Sequence, residues 1–282
     1  MAADALVHAL AGGLGSFLAL LILHPLNQVR LLRQVGKSSL VAGKDSRKTV
    51  TLLREMSRGG IQSLYFGVLP FLTVNTLSQG VYFAVYNAVH GRVFFRSVLA
   101  SVITCVVTAP TWVAWTRLQL AHSDPEKKAL KGGGLFTLLA RAHAIAHEEG
   151  MLALFHGISS SLWLCSVPIV QFWTYEFFRF FSQSPEHPTA LEALVMGGLS
   201  KLAATALTYP LQLAQARQRA DAKSGSLLEV LSSVAREGGF SGLFAGFEAK
   251  ALLGLLNGAF MMCFYEKILE LVTKVLPMTR QR

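Results

Sequence analysis

A proline followed by a polar, basic run recurs at three points of the chain: HPLNQVRLLRQ at residues 24–34, APTWVAWTRLQ at 109–119 and YPLQLAQARQR at 209–219. Pro25, Pro110 and Pro210 are 85 and 100 residues apart, close to a third of the 282-residue chain. An internal repeat at such a period constrains architecture more than any single motif does, because each copy is one supersecondary unit. The spacing divides the chain into three units, residues 1–91, 92–182 and 183–282, with no linker long enough for a separate domain.

Two further echoes fall in register. A glycine motif follows each proline: GGIQSLYFG (59–67), EGMLALFHG (149–157) and GGFSGLFAG (238–246), with final glycines 90 and 89 residues apart. Between proline and glycine motifs lie amphipathic stretches at 49–58, 136–147 and 227–236. In the second, Leu138, Leu139, Ala142 and Ile145 share a helical face, as in a helix lying flat at a membrane surface. The third echo is aromatic and polar: YFAVYNAVH (82–90), FWTYEFFR (172–179) and FYEKIL (264–269). It sets Asn87 before His90, Glu176 before Arg179, and Glu266 before Leu269, each pair on one helix face. An isolated pair of this kind is a weak surface contact; repetition at matching points favours a shared role.

Composition places the units in a membrane. Hydrophobic residues make up 52% and charged residues 15%, where a soluble domain carries about a quarter charged residues. Apolar runs at residues 5–32, 67–88, 93–120, 154–181, 190–217 and 246–275 give six expected spans. All carry glycine, proline, hydroxyl or charged residues, which suits helices packed around a polar cavity. The fold class expected is all-α, six transmembrane helices in three pseudo-symmetric repeats, with the short amphipathic helices on one face. Bends at the three prolines, set at one level, would draw three helix ends together and close one end of a central cavity.

Met1–Leu32 lacks a basic segment ahead of its apolar run and reads as a retained span. Cys105, Cys165 and Cys263 fall inside spans with no metal-ligand spacing and read as small packing residues, not a disulfide framework. The net charge of +10 concentrates after the prolines, as between Arg30 and Arg58. Such loops suit anionic lipid headgroups and need no nucleic acid. The eight histidines show no HExxH, and no P-loop is present, so neither a metal-dependent enzyme nor an ATP-driven pump is indicated, and no cofactor is called for. His143 and His147 share a face but lack a third ligand.

In these motifs the chain resembles the mitochondrial carrier (solute carrier 25) family over essentially its whole length. The resemblance implies a three-fold pseudosymmetric monomer of six helices, working by alternating access between a lower and an upper salt-bridge gate. TAPTWVAWTRLQL (108–120), VPIVQFWTYE (167–176), TYPLQLAQARQ (208–218) and GFEAKALL…GAFMMCFYEK (246–267) resemble its peroxisomal branch. That likeness implies exchange of coenzyme A, FAD, NAD and AMP- or ADP-type compounds across the peroxisomal membrane. A mitochondrial inner-membrane carrier for another anionic metabolite, or a non-transporting scaffold with the same fold, stays open as an alternative.

The sequence departs from the family at both gates. The lower-gate positions are Asn27/Arg30, Trp112/Trp115 and Gln212/Gln215, with no acid among them. Closure there must use hydrogen bonds and aromatic packing, braced by Gln34 and Gln119. At the upper gate Glu176 and Glu266 face Arg179 and His90, and His90 counts only when protonated. Weaker gates would lower the barrier between states and permit uniport beside exchange.

Lys201 and Lys250 are ionisable residues inside spans; they either serve a substrate phosphate or merely snorkel, or, for Lys250, neutralise Glu248. Arg30 and Arg117 could pass phosphates onward, or Arg117 could meet headgroups. Counting back from the upper-gate residues, as the family implies, gives Val74 and Asn75, Trp163 and Leu164, and Leu253 and Gly254 as substrate contacts. Trp163 offers a face to a base or an anchor in the bilayer. Gln79, Gln171 and Asn257 are further polar candidates. The positive-inside rule and the family likeness assign opposite sides to the post-proline loops.

Overall fold

The computed structural model describes residues 2–36, 49–123, 133–181, 190–221 and 223–275. They are helical throughout, with no strand among the described residues. The first repeat contains α1 (Ala2–Ile22), α2 (His24–Val35), α3 (Thr49–Arg58), α4 (Ile61–Leu64) and α5 (Val68–Ala88). The second contains α6 (Val93–Ser123), α7 (Leu135–Glu148), a 3-10 turn (Met151–Phe155), α8 (Ile158–Leu164) and α9 (Val167–Phe180). The third contains α10 (Ala190–Ala220), α11 (Leu227–Leu243) and α12 (Phe247–Val275).

The largest helix-to-helix packings are α5 on α6, α9 on α10, and α12 back on α1. These are the three junctions between repeats, so the chain closes into a ring. Ile61–Ala88, Val93–Ser123, Met151–Phe180 and Phe247–Val272 are long and apolar enough to cross a membrane, and the bent pair α1–α2 makes a fifth. The sixth segment, α10, is 31 residues long but carries Lys201, Gln212, Gln215, Arg217, Gln218 and Arg219. Large apolar side chains such as Phe94, Trp173 and Phe180 stand exposed on the outside, where lipid replaces water.

Proline acts differently in the three copies. The first span bends by 59° where α1 gives way to α2, with Pro25 in the opening turn of α2. In α6 and α10 the helix runs on through Pro110 and Pro210 without a break. The post-proline segments nevertheless converge: Leu31 and Val35 of α2, Ala114 and Trp115 of α6, and Ala216 of α10 belong to one buried cluster.

The glycine motifs explain that convergence. Gly67, Gly157 and Gly246 all have φ between +68° and +83°, and each opens the second span of its repeat. Only glycine adopts this conformation without strain. Each also lies against the post-proline segment of the next repeat. A Cβ on Gly67 would collide with the side-chain amide of Gln119, one on Gly157 would meet Arg219 Cγ at 3.3 Å, and one on Gly246 would meet Arg33 Cβ at 3.0 Å. First repeat touches second, second touches third, and third touches first.

A second link runs within the repeats. The residue before the proline reaches the carbonyl before the glycine: His24 Nε2 lies 3.1 Å from Phe66 O, and Tyr209 Oη donates to Ala245 O at 2.7 Å. Ala109 has no side chain to do the same in the second repeat. The amphipathic helices seal this end from outside. Leu52 and Met56 of α3 bury against Val29 and Leu32 of α2, and Val230 and Val234 of α11 bury against Tyr209 and Leu213 of α10. In α7, Leu138 and Ile145 are buried, whereas Leu139 is exposed. A capping box starts α11, with Glu229 N donating to Ser226 Oγ and Ser226 N donating to the Glu229 carboxylate.

Candidate substrate cavity

The ring encloses a cavity of about 540 Å³, lined by residues of α2, α5, α6, α8, α9, α10 and α12. That volume lies within the range of small-molecule sites, about 300 to 1,000 Å³. Among the described residues, Arg30, Arg219 and Lys250 are the charged ones that line it, and no carboxylate does. Three cations from three different helices line a space whose wall also holds the polar or aromatic Ser78, Gln79, Tyr82, Thr104 and Gln212 and the apolar Leu31, Leu164 and Val167. In a low-dielectric wall such a cluster is costly unless an anion completes it.

Of the sequence candidates, Arg30, Gln79, Trp112, Trp115, Gln212, Gln215 and Lys250 line the cavity. The suggestion that Glu248 neutralises Lys250 does not hold: Glu248 pairs instead with Arg33, Nη1 to Oε2, at 3.2 Å. Lys201, Asn75, Trp163, Gly254, Gln171 and Asn257 are not among the lining residues. Lys201 is exposed, and Trp163 is 64% exposed on the outer surface of α8. The counted-back register holds better at Leu164, which does line the cavity. The break between α8 and α9 at residues 165–166 interrupts the helical phase on which such counting depends. Val74 is buried in the closed end, so α5 presents Ser78, Gln79 and Tyr82 about one turn later.

The post-proline end is shut, and the six positions expected to gate it carry no acid. Trp112 and Trp115 meet edge to face at 5.8 Å between centroids, and Phe71 packs on Trp115 at 5.1 Å. Trp112 Nε1 donates to Ser78 Oγ at 3.0 Å. Gln212 donates to Thr208 of its own helix and Gln215 to Ser161 of α8, while Asn27 is buried with its Nδ2 unpartnered among the described residues. Gln119 Nε2 donates to Phe66 O at 3.0 Å, and Gln34 is buried beside Arg217, whose Nε donates to its backbone carbonyl. Ion pairs ring the closure further down. Arg117 Nη1 reaches both Glu149 oxygens at 2.7 and 2.8 Å, and Arg217 lies 3.7 Å from Glu237. Arg117 is 5% exposed and held by Glu149, so it does not meet lipid headgroups in this form.

The opposite end is open. Asn87, His90 and Glu266 are exposed, and Glu176 pairs with Arg179 of its own helix at 3.4 Å.

Arg219 was not singled out by the motifs. It stands nine residues after Pro210, where the other repeats carry Gln34 and Gln119. Its guanidinium lies 5.5 Å from the centroid of Trp112, and Nη2 donates to Ser161 Oγ at 3.2 Å.

The model of the mitochondrial carrier protein family matches three times, over residues 2–97, 90–185 and 186–276. The chain belongs to the mitochondrial carrier family. It is a transporter and not an enzyme. Among its relatives, the peroxisomal membrane protein PMP34 of Mus musculus is 30% identical over 94% of this chain and 92% of its own length. The chloroplastic folate transporter 1 of Arabidopsis thaliana is 28% identical over 94% and 95%. The peroxisomal nicotinamide adenine dinucleotide carrier of Arabidopsis thaliana is 25% identical over 95% and 96%.

Proposed function

We propose that this carrier moves anionic, nucleotide-containing cofactors of the CoA, FAD, NAD and AMP or ADP type across the peroxisomal membrane. The observation that carries this reading is the cavity itself, where Arg30, Arg219 and Lys250 face one space with no carboxylate among its described lining residues. Phosphate and pyrophosphate groups complement such a cluster. Tyr82 and Trp112 add aromatic faces to the same wall, which a flat base can stack against. Two relatives whose names place them in peroxisomes support the membrane assignment.

The carrier works as a monomer, with lipid around the ring, by alternating access. The form described here is closed at the Trp112–Trp115 end and open at the Glu176–Glu266 end. A solute enters from the open side and settles its phosphates on the three cations. Release requires separation of the post-proline segments. With no ion pair among the six lower-gate positions, that separation breaks aromatic and hydrogen-bonded contacts, and uniport accompanies exchange.

The test is uptake by purified protein in liposomes, against a panel of CoA, FAD, NAD, AMP, ADP, a folate and a neutral nucleoside. Uptake of nucleotides that falls when Lys250 or Arg30 becomes alanine supports the proposal. Preference for the folate would redirect it to a different anionic ring system, and uptake of the nucleoside in preference to all anions would end it.

A further inference from the structure

Cys105 and Cys165 lie 60 residues apart in sequence, but their sulfurs stand 3.5 Å from each other. Both line the cavity. Cys105 is in the middle of α6, and Cys165 sits in the short break between α8 and α9. Both sulfurs also lie near Ser161 O, at 3.9 and 3.5 Å, and Ser161 Oγ in turn receives Arg219 and Gln215. They are therefore not the packing residues that composition suggests; they are two thiols facing each other at a polar wall. The third cysteine, Cys263, is exposed on α12 and serves as an internal control.

We infer that Cys105 and Cys165 form a reversible dithiol site in the cavity wall, which a peroxide closes to a disulfide that ties the third span to the break in the fourth. A disulfide needs its sulfurs about 2.05 Å apart. Closing the remaining gap takes side-chain rotation and a small shift of two neighbouring helices that already touch. The chemistry balances with hydrogen peroxide as oxidant. One sulfur, as thiolate, attacks a peroxide oxygen, breaking the O–O bond and giving a sulfenic acid and hydroxide. The second thiolate attacks that sulfenic sulfur, forming the S–S bond and expelling a second hydroxide. With the two thiol protons the products are a disulfide and two waters; two electrons pass from the sulfurs to the peroxide. A dithiol reductant reverses the bond by exchange.

The functional consequence rests on the transport reading above. Solute leaves only when the walls of the closed end move relative to one another, and a covalent tie at the α8–α9 break fixes one wall to the next. Oxidation then stops the cycle with the cavity open on one side.

The experiment uses the full chain in liposomes, treated with hydrogen peroxide, blocked with N-ethylmaleimide and digested without reductant for mass spectrometry. The expected result is a linked Cys105–Cys165 peptide pair that dithiothreitol separates, lost in Cys105→Ser and in Cys165→Ser but kept in Cys263→Ser. Uptake of labelled AMP by the same liposomes should fall about fivefold or more on oxidation, within the usual range of coupling between two sites, and recover on reduction. Both serine variants should resist the loss. Two sulfurs that remain separately alkylated under peroxide that oxidises Cys263 would overturn the site. A linked pair with unchanged uptake would overturn the lock. Reduced protein that carries no nucleotide at all, yet forms the link, would sink the substrate reading and leave the dithiol site standing.

Discussion

Gly246 of the third repeat rests on Arg33 of the first, so close that an added Cβ would stand 3.0 Å from the arginine's own Cβ and 3.1 Å from the Tyr209 hydroxyl. This contact closes the ring, since Gly67 and Gly157 make its counterparts at the other two junctions. Gly246→Ala therefore meets two penalties, a left-handed backbone at φ +83° and a crowded neighbour. The expected cost is about 1–3 kcal/mol, seen as a fall of several degrees in the thermal unfolding of detergent-solubilised protein. Gly80→Ala, in the interior of α5 with nothing within 4 Å, should be neutral or slightly stabilising. Equal behaviour of the two variants would remove the junction glycines from the account of the fold.

The repeat was legible because a three-fold ring must reuse the same backbone at the same register. Pro25, Pro110 and Pro210, and the glycines that follow them, are bound by local conformation and close approach, and these requirements leave marks in sequence. The bend was less legible. Only the first span breaks, since α6 and α10 carry their prolines within continuous helix. Ionisable groups inside spans are conspicuous in sequence, yet of the candidates Arg30, Lys201 and Lys250 only Arg30 and Lys250 are among the cavity-lining residues. Trp163 came from counting along a helix assumed unbroken, and the α8–α9 break defeats that count; Asn75 lies on continuous α5, whose cavity-lining residues begin about one turn later, at Ser78 and Gln79. The Cys105–Cys165 approach joins two helices through tertiary packing and leaves no spacing signature. Glu149 as the partner of Arg117 was equally hidden, being fixed by how α6 packs on α7 and the turn that follows it.

Tyr209 and Ala245 give a smaller, cleaner test. Tyr209→Phe removes one hydroxyl that donates at 2.7 Å and leaves the rings around it, Phe244 and Phe247, in place. The loss should be about 1 kcal/mol. His24→Phe should cost a similar amount or less, because Phe66 O keeps its bonds from Gln28 and Gln119 and a ring still fills the site. Ala109 makes no such bond, so this link is confined to the first and third repeats, and thermal unfolding of the two variants measures it there.

Arg117 and Glu149 tie α6 to the segment that leads into the fourth span. Arg117 is buried and Glu149 is 38% exposed, so solvent screens the pair only from one side. Glu149→Gln should destabilise by about 2 kcal/mol, since it strips a charged partner from a buried guanidinium. Arg117→Ala should cost at least as much through lost packing. A double-mutant cycle measures the coupling, and additive losses would show that the two side chains act independently.

Arg219→Gln puts into the third repeat the residue that the first two carry at the same distance from proline. The fold tolerates glutamine at this register twice already, so stability should change little. The cavity, however, loses one of its three cations and the guanidinium over Trp112. The apparent KM for an anionic nucleotide should rise about tenfold, the effect of losing roughly 1.4 kcal/mol of charge-assisted binding. Arg219→Lys should fall between, because it keeps the charge but not the planar stack. The separation of roles is the check: unfolding midpoints of the three proteins should coincide while KM orders them arginine, lysine, glutamine. An unchanged KM in the glutamine variant would mean that Arg219 only closes the gate, and transport rate rather than affinity would then carry the difference.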